Sequence, residues 1–299
     1  MQQVPDSGVP NNMAIDDPYY QTRMALVRRI NADRAAEGIG PVEYDPLASQ
    51  VEDAHCLEMA ANYYLSHWNL CGELPYHRYH FAGGRDYIQE NLSRTSIHSL
   101  RQYPIPTGPE ELVPYLLKSQ DRIIMEKPPL DGHRINVLNR DHTHVGIGLA
   151  VIDQEFTMGQ MFVNRYVKLG VFPDTLERGS IDVTGIVLRD DTGPYYCSVF
   201  YENPLRRRLA VELDQTYAYE DMAGEQVGTK PPWEMTFRER TGQFRFNVAV
   251  DRKGPGLYHL VLWVRTPLRA IPYRLGGPGL YRVDTAQAIP AAGWVFRVE

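Results

Sequence analysis

The sequence predicts an α+β chain in two parts, a mixed helix-and-strand first half and an all-β second half. Three observations predict this. Helical apolar spacing is confined to the first half, whereas period-two alternation takes over from about Val167. Eight of the nine histidines (His55, His67, His77, His80, His98, His133, His142 and His144) fall in the first half, and only His259 in the second. A length of 299 residues fits two domains at roughly 100–200 residues each. The expected division is a disordered lead over 1–17, a first domain over 18–167 and a second over 168–299.

The lead, "MQQVPDSGVPNNMAIDDP", is polar and holds three prolines. It has neither the charged nor the apolar region of a signal peptide. A first helix is predicted near Pro18 to Glu37, with Met24, Val27, Ile30 and Asn31 on one face and Gly38 and Gly40 as its stop. A second helix takes Asp45 as N-cap and Pro46 in its first turn. Leu47, Val51, Ala54, Glu58, Ala61 and Leu65 step along it by three and four as the expected buried stripe. Thr107 and Glu110 have capping-box spacing, which opens a third helix running to about Glu126. Pro114 is expected to kink it.

Strands follow. Val145, Ile147, Leu149 and Val151 alternate with Gly146, Gly148 and Ala150, so one face is bulky and the other nearly bare. A bare face admits a helix at close range. "FTMGQMFVNRYV" reads as the partner strand of a hairpin. In the second half "SIDVTGIVL", "YYCSVFYE", "FRFNVAVD", "LYHLVLWVRT" and "WVFRVE" are apolar, β-branched or aromatic runs, with "DDTGP" and "DRKGPG" as turns. Several short strands with turn signals predict an Ig-like β-sandwich.

The composition, 43% hydrophobic and 23% charged, is globular, and a net charge of −6 offers no basic stripe for nucleic acid. No run of 18 apolar residues predicts a membrane-spanning helix. Three cysteines, Cys56, Cys71 and Cys197, make no disulfide scaffold. Cys56 and Cys71 are close enough to bridge a helix to its following loop; free thiols are the alternative.

The chemistry-bearing residues are scattered. His133, in "GHRIN", sits at a predicted loop–strand junction. His67, in "YYLSHWN", lies just past the second helix. Glu90, in "YIQENLSR", lies in a short polar segment. Two imidazoles and a carboxylate from three segments suit a cleft metal site or an acid–base site. Equally, they suit a buried hydrogen-bonded network that fixes three loops. A zinc ion would take imidazole at about 2.0–2.1 Å with water completing its shell. Glu90 would then be a ligand, or would orient a histidine through its second nitrogen.

His77 and His80, in "ELPYHRYHF", sit at i and i+3 and on a helix could share a ligand as a second metal site; with Pro75 and several aromatics the segment reads first as a loop with structural or surface aromatic packing. His142 and His144 are read as solvent-exposed flanks of a strand. Tyr258, Trp263 and Arg265 have the types that stack on sugars, but their period-two spacing reads first as a sandwich core with one wet face. No G-x-S-x-G, phosphate-binding or dinucleotide-binding motif is present, and Ser66 beside His67 does not make a nucleophile–base pair.

The ordered motifs "ALVRRINADRAAEGIGPVEYDPLASQVEDAH", "LSHWN", "QENLS" and "GHRINVLNRDHTHVGIGLAV" resemble the CAP superfamily of cysteine-rich secretory, antigen five and pathogenesis-related type-one proteins. Its bacterial SCP-like extracellular branch is the nearest likeness. "QENL" is similar to that family's "GENL", with Gln89 where the family has glycine, and "GHRINVLN" to its "GHR.NIL". The resemblance covers about residues 20–165. It implies an α-β-α sandwich with a central cleft lined by two histidines and two acidic residues that hold zinc or another divalent metal. Carried over, these are His67, Glu90 and His133, with Glu126 as the fourth and Asp121 as its rival.

The family likeness also implies a secreted or cell-surface location, with the signal peptide absent from the present sequence. The expected role is binding: a cleft for a metal, a lipid, a glycan or a peptide, or for cell-surface components, carried beside a β-sandwich accessory module. Two alternatives stand beside it. One is a divalent-metal hydrolase of cell-wall peptide, glycan or ester with Glu90 as base. The other is adhesion through the β domain alone.

Overall fold

The computed structural model describes residues 17–96, 106, 108–177, 179–214, 224–250, 253–266, 273–274, 281–282 and 288–299. The predicted Thr107 cap and His98 lie outside them, as does the lead up to residue 16.

Helix α1 spans Tyr20–Ala36 and ends ahead of Gly38, whose φ is +66°. Its buried face is centred on Leu26, Val27 and Ile30, with Met24 and Asn31 at the margins. Arg34, 1% exposed, lies on the same face because its guanidinium donates to the carbonyls of Gly40, Val137 and Asn139, each at 2.8 Å. After a two-residue strand β1 (Glu43–Tyr44) comes α2 (Pro46–Asn62). Asp45 caps it as expected, Oδ1 accepting from the Ala48 amide at 2.7 Å. The buried stripe of α2 differs from the expected one. Ala48, Ser49, Glu52, His55, Cys56 and Met59 face inward, while Ala54 and Ala61 are exposed. Small and polar residues fill that face because it lies against glycine, not against a bulky layer.

Helix α3 (Pro75–Phe81) occupies the segment read as a loop, and β2 is a ten-residue strand, Tyr87–Ser96, where a short polar segment was expected. A 3₁₀ turn (Pro109–Leu112) leads into α4 (Val113–Ile124). Pro114 falls in the first turn of α4, where its missing N–H costs nothing, so it starts the helix and does not kink it. His133 lies on a short helix, α5 (Gly132–Val137), and not at a loop–strand junction.

The hairpin is as predicted: β3 (His144–Ile152) and β4 (Glu155–Asn164) turn at Asp153 and Gln154, both with positive φ. The first sheet has the order β1-β3-β4-β2, with β1 parallel to β3 and the rest antiparallel. Val145, Ile147 and Leu149 share a cluster with α1 and α4 residues. The opposite face carries Gly146, Gly148 and Gly159, and α2 lies directly upon it. Helices cover both faces, giving an α-β-α sandwich.

The second half is two sheets around one core. Strands β5 (Val167–Leu169), β7 (Ser180–Val187), β10 (Thr236–Arg238) and β11 (Gln243–Ala249) form one, in the order β10-β11-β7-β5. The other runs β6-β15-β12-β8-β9, from β6 (Thr175–Leu176), β8 (Gly193–Tyr201), β9 (Glu225–Lys230), β12 (Gly256–Arg265) and β15 (Ile289–Val298). Two further short strands, β13 (Tyr273–Arg274) and β14 (Tyr281–Arg282), pair with each other, and a single turn of helix, α6, spans Ala210–Leu213. Val183, Phe246, Val199, Leu260 and Trp294 belong to the core between the sheets. Tyr258 is buried there, with Trp263 on the partly exposed face. No helix among the described residues is long and apolar enough to cross a membrane.

The halves share an apolar cluster that joins Tyr76, Tyr79, Ile88 and Met161 to Leu257 and Val295. At its side lies a buried carboxylate, Glu202. Tyr76 Oη donates to both its oxygens at 3.2 and 3.1 Å, and the Tyr76 ring stacks on His259 at 4.4 Å. His77 Nδ1 accepts from the Leu74 amide, so Nε2 carries the proton and faces Glu202 at 3.9 Å. His77 and His80 are buried, as aromatic packing requires. His142 is not the exposed residue expected: it is 3% exposed, hydrogen-bonded to Asn136 and Asn164 at 2.7 Å each. Gly72 is required where the chain of the second half crosses the loop after α2. Its φ is +79°, and a Cβ would meet the Arg206 carbonyl oxygen at 2.2 Å.

The close seating of α2 makes a test. A Cβ at Gly148 would lie 2.4 Å from Glu52 backbone and Cβ atoms, whereas one at Gly40 meets nothing within 4 Å. Gly148→Ala is expected to lower stability by about 1–3 kcal/mol through overpacking. Gly40→Ala should change it by under about 0.5 kcal/mol. Urea unfolding of both variants measures the contrast.

Candidate functional site

Strand β2 is an edge strand, and its pleat sends Glu90 and Asn91 to opposite faces. Glu90, opposite Met161, points toward α2 and α3. It is 3% exposed and accepts from His67 Nδ1 at 2.6 Å and from the Arg78 guanidinium. Arg78, carried by α3, also donates to the carbonyls of His67 (2.7 Å) and Glu73 (3.1 Å). One cation therefore holds the carboxylate and the loop that bears the imidazole. Burial alone would raise the Glu90 pKa; the Arg78 charge and the His67 hydrogen bond outweigh it and hold the group below the ordinary carboxylate range.

A second carboxyl, Glu52 of α2, lies beside this group and is fully buried. Burial first, and then the adjacent Glu90 charge, push its pKa well above the usual value, so Glu52 is the neutral member of the two. Neither Glu52 nor Arg78 stood out in the sequence. Glu52 has one usable signal, its i, i+4 spacing from Ala48 and Cys56 on the face that meets the glycines.

His55, one turn further along α2, is 2% exposed. Its Nε2 lies 2.8 Å from the Ser66 carbonyl oxygen. A carbonyl only accepts, so Nε2 carries the proton and Nδ1 is a bare lone pair. Burial, aided by the Arg78 charge, pushes this imidazole down to about 3.

The second pair is carried at α5: His133 Nδ1 meets Glu126 Oε1 at 2.6 Å, and Glu126 Oε2 accepts from the Arg134 amide at 3.2 Å. Glu126 is thus the partner of His133. Asp121, its rival, pairs instead with Arg29 at 2.8 Å. Asn91 donates to the His133 carbonyl at 3.1 Å and to Gln160 at 3.2 Å, and accepts from Asn136 at 2.9 Å, which ties α5 to the sheet. Gln89, in the family's glycine position, sits in extended strand and needs no positive φ.

The four sequence-derived residues are therefore placed as two His–Glu pairs, His67–Glu90 and His133–Glu126. In each, Nδ1 faces a carboxylate, the arrangement that leaves Nε2 as the ligating atom of a metal-bound imidazole. Among the described residues, however, no three or more His, Cys, Asp or Glu side chains are grouped so as to hold an ion. The donor types fit a divalent metal; their grouping does not make a three-ligand centre. The expected Cys56–Cys71 bridge is not formed. Cys56 is buried inside α2 with its thiol toward Gly159, and Cys71 is exposed on the loop; both are free, as is Cys197.

A cavity of about 420 Å³ opens between α2, α3 and the loop after α2. Leu47, Val51 and Phe81 line its apolar walls, Glu58 and Glu73 stand among its polar ones, and His55 and Arg78 reach it from the buried network.

Residues 27–165 match the model of the cysteine-rich secretory protein family, CAP. No curated protein matches the chain significantly. Among solved structures, an extracellular protein containing a SCP domain from Bacillus anthracis str. Ames is 20% identical with a TM-score of 0.38. That match covers 55% of this chain and 45% of the other, so the chain spans less than half of that protein. An outer surface protein from Borrelia burgdorferi is 17% identical with a TM-score of 0.38, over 48% of this chain and 93% of its own.

Two outcomes follow from the buried charges. Arg78→Ala strands the Glu90 carboxylate and is expected to cost about 3–5 kcal/mol. Glu52→Gln, which replaces a carboxyl already neutral, should cost under about 1 kcal/mol; chemical denaturation at pH 7 separates the two. Acid sensitivity is the second. Burial drives His55 and His77 down to about 3 and His142 to about 4, and His80 is also lowered. Their unfolded value is about 6.5, so only the unfolded chain takes up protons just below that pH. The stability they confer is complete above pH 6.5 and is lost as pH falls toward 4, at about 1.4 kcal/mol per pH unit for each imidazole. Circular-dichroism melting should show a midpoint that falls already between pH 6.5 and 5; a flat midpoint over that interval contradicts this reading.

Proposed function

With residues 27–165 a CAP domain, we propose that the chain is a secreted or cell-surface binding protein whose first half offers a ligand cleft and whose second half, an Ig-like sandwich from about residue 168, is an accessory module fixed to it. The cavity between α2 and α3 carries this reading. It is large enough for a small ligand, and apolar side chains (Leu47, Val51, Phe81) share its wall with convergent polar ones (Gln50, Glu58, Asn69, Glu73). Beneath it Arg78 and His67 both donate to the buried Glu90 carboxylate, which makes the group a rigid floor.

Catalysis by Glu90 fits less well. A general base works best with a pKa near the working pH. Glu90 is held below the ordinary range and spends both oxygens on Arg78 and His67. Adhesion through the sandwich alone would leave the cavity without a role.

A second reading is favoured by one observation, the orientation of both imidazoles by carboxylates at 2.6 Å. On it, His67 and His133 would hold zinc or another divalent ion through Nε2, the ion acting as a Lewis acid or as a bridge to ligand. With two protein ligands the affinity should be weak.

Calorimetric titration of the full chain with zinc is expected to give a dissociation constant no tighter than about micromolar. Loss of that binding in both His67→Ala and His133→Ala would establish the shared site, and retention in either would rule it out. For the first reading, thermal-shift assays against small glycans, fatty acids and peptides should find at least one stabilising class without added metal. Stabilisation by none of them would remove the cleft as a binding site.

A further inference from the structure

We infer that the cavity between α2 and α3 takes a neutral, hydroxyl-rich ligand of the saccharide class; this rests on the binding reading and names its ligand chemistry. Two residues that line the cavity each carry a buried side-chain atom without a partner. His55 Nδ1 has no hydrogen bond and is the lone-pair side of a neutral ring, at 2% exposure. Arg78 Nε–H, at 8% exposure, also has none, although the rest of that guanidinium is fully engaged with Glu90, His67 and Glu73. Buried polar groups are rarely left unpaired, and each such group costs about 1–3 kcal/mol in ordinary protein interiors. The cavity thus asks for a donor at one point and an acceptor at another.

Ligand classes meet this demand differently. A carboxylate or phosphate would serve Arg78 but bring only lone pairs to His55, and would approach Glu58 and Glu73. An ammonium would serve His55 and the two carboxylates but face the Arg78 charge. An acyl chain would serve neither. A hydroxyl both donates and accepts, and several on one ring reach several partners.

The walls agree. Glu58 uses Oε1 for the Tyr64 hydroxyl (2.5 Å) and the Leu70 amide (2.8 Å), and Glu73 uses Oε2 for Asn69 (2.6 Å). Each is a cavity-lining carboxylate whose named bonds use one oxygen, which leaves acceptor capacity at the wall. Phe81, at the end of α3 and 49% exposed, offers a ring face to the C–H side of a sugar, beside Leu47 and Val51.

The test uses the full chain and saturation-transfer NMR with calorimetry. The probes are glucose, galactose, N-acetylglucosamine and chitobiose, with laurate and inorganic phosphate as the other classes. Ala54→Trp is the blocking variant, because Ala54 is exposed on α2 at the cavity wall and its replacement leaves the buried network untouched. Saturable binding of at least one saccharide, abolished by Ala54→Trp and weakened about tenfold or more by Phe81→Ala, is the expected result. Saccharide binding unaffected by Ala54→Trp places the site elsewhere and overturns the inference. Binding of laurate or phosphate alone, sensitive to Ala54→Trp, overturns the saccharide class while the binding reading stands. No binding of any probe at millimolar concentration, with the variants folded by circular dichroism, overturns the inference; the binding reading is then judged by its own peptide and metal tests.

Discussion

The buried Glu90 carboxylate constrains the whole first half. A charge removed from water must be matched by cations and donors, or it is strongly destabilising. The match here is made by Arg78 from α3 and His67 from the loop after α2. Because the same guanidinium holds the His67 and Glu73 carbonyls, the carboxylate sets where α3 lies, where the loop returns and where the cavity between them opens. The nearby Glu52 stays neutral for the same reason: one ionised carboxyl uses the available positive charge, and a second in the same dry space keeps its proton.

Helix α3 repeats this device toward the second half. Its seven residues carry Arg78 to Glu90 on one side and Tyr76 and His77 to Glu202 on the other. Two buried carboxylates, one in each half, are thus satisfied by consecutive residues of one short helix. Burial opposes the ionisation of Glu202, and the His259 imidazole 3.6 Å away, with His77 and the Tyr76 hydroxyl, keeps its pKa low. The contact between halves is accordingly more than a seam of apolar side chains. In β15 the Gly293 N–H donates to the Arg85 carbonyl at 2.9 Å, and Asn164 donates to the Pro290 carbonyl at 2.9 Å. A polar network needs fixed geometry, so the two halves hold one arrangement more strictly than an oily contact would require.

Those parts of the fold with a local cause were legible in the sequence. Asp45–Pro46 caps α2, the glycines of β3 seat α2, and the β3–β4 hairpin follows from alternation. His67, Glu90, His133 and Glu126 were picked out on family likeness, and the structure pairs them two by two. What was not legible has non-local causes. The α3 segment has no apolar period because nearly every side chain in it is buried, some against the sheet and some against the second half. The stripe of α2 was misplaced because a helix lying on glycines buries alanine, serine and glutamate, and no hydrophobic pattern reports that. His142 was taken as exposed because its two asparagine partners are distant or ordinary in sequence. Arg78 carries no local signal, because its partner Glu90 is brought to it only by the fold.

The same reasoning bears on what the first half can do. An acid–base pair needs a proton that moves at working pH. Glu90 binds its proton too weakly and Glu52 too tightly to exchange one readily, and His55 stays neutral down to about 3. Glu90, Glu52 and His55 thus each keep one charge state across the neutral range. Buried groups so held make a stiff wall; of the atoms they leave without a partner, those of Glu52 lie inside, whereas His55 Nδ1 and Arg78 Nε belong to residues that line the cavity. Selection of a ligand by its hydrogen-bonding pattern, as proposed, would draw on this same rigidity, because a wall that does not yield keeps its donors and acceptors at fixed points.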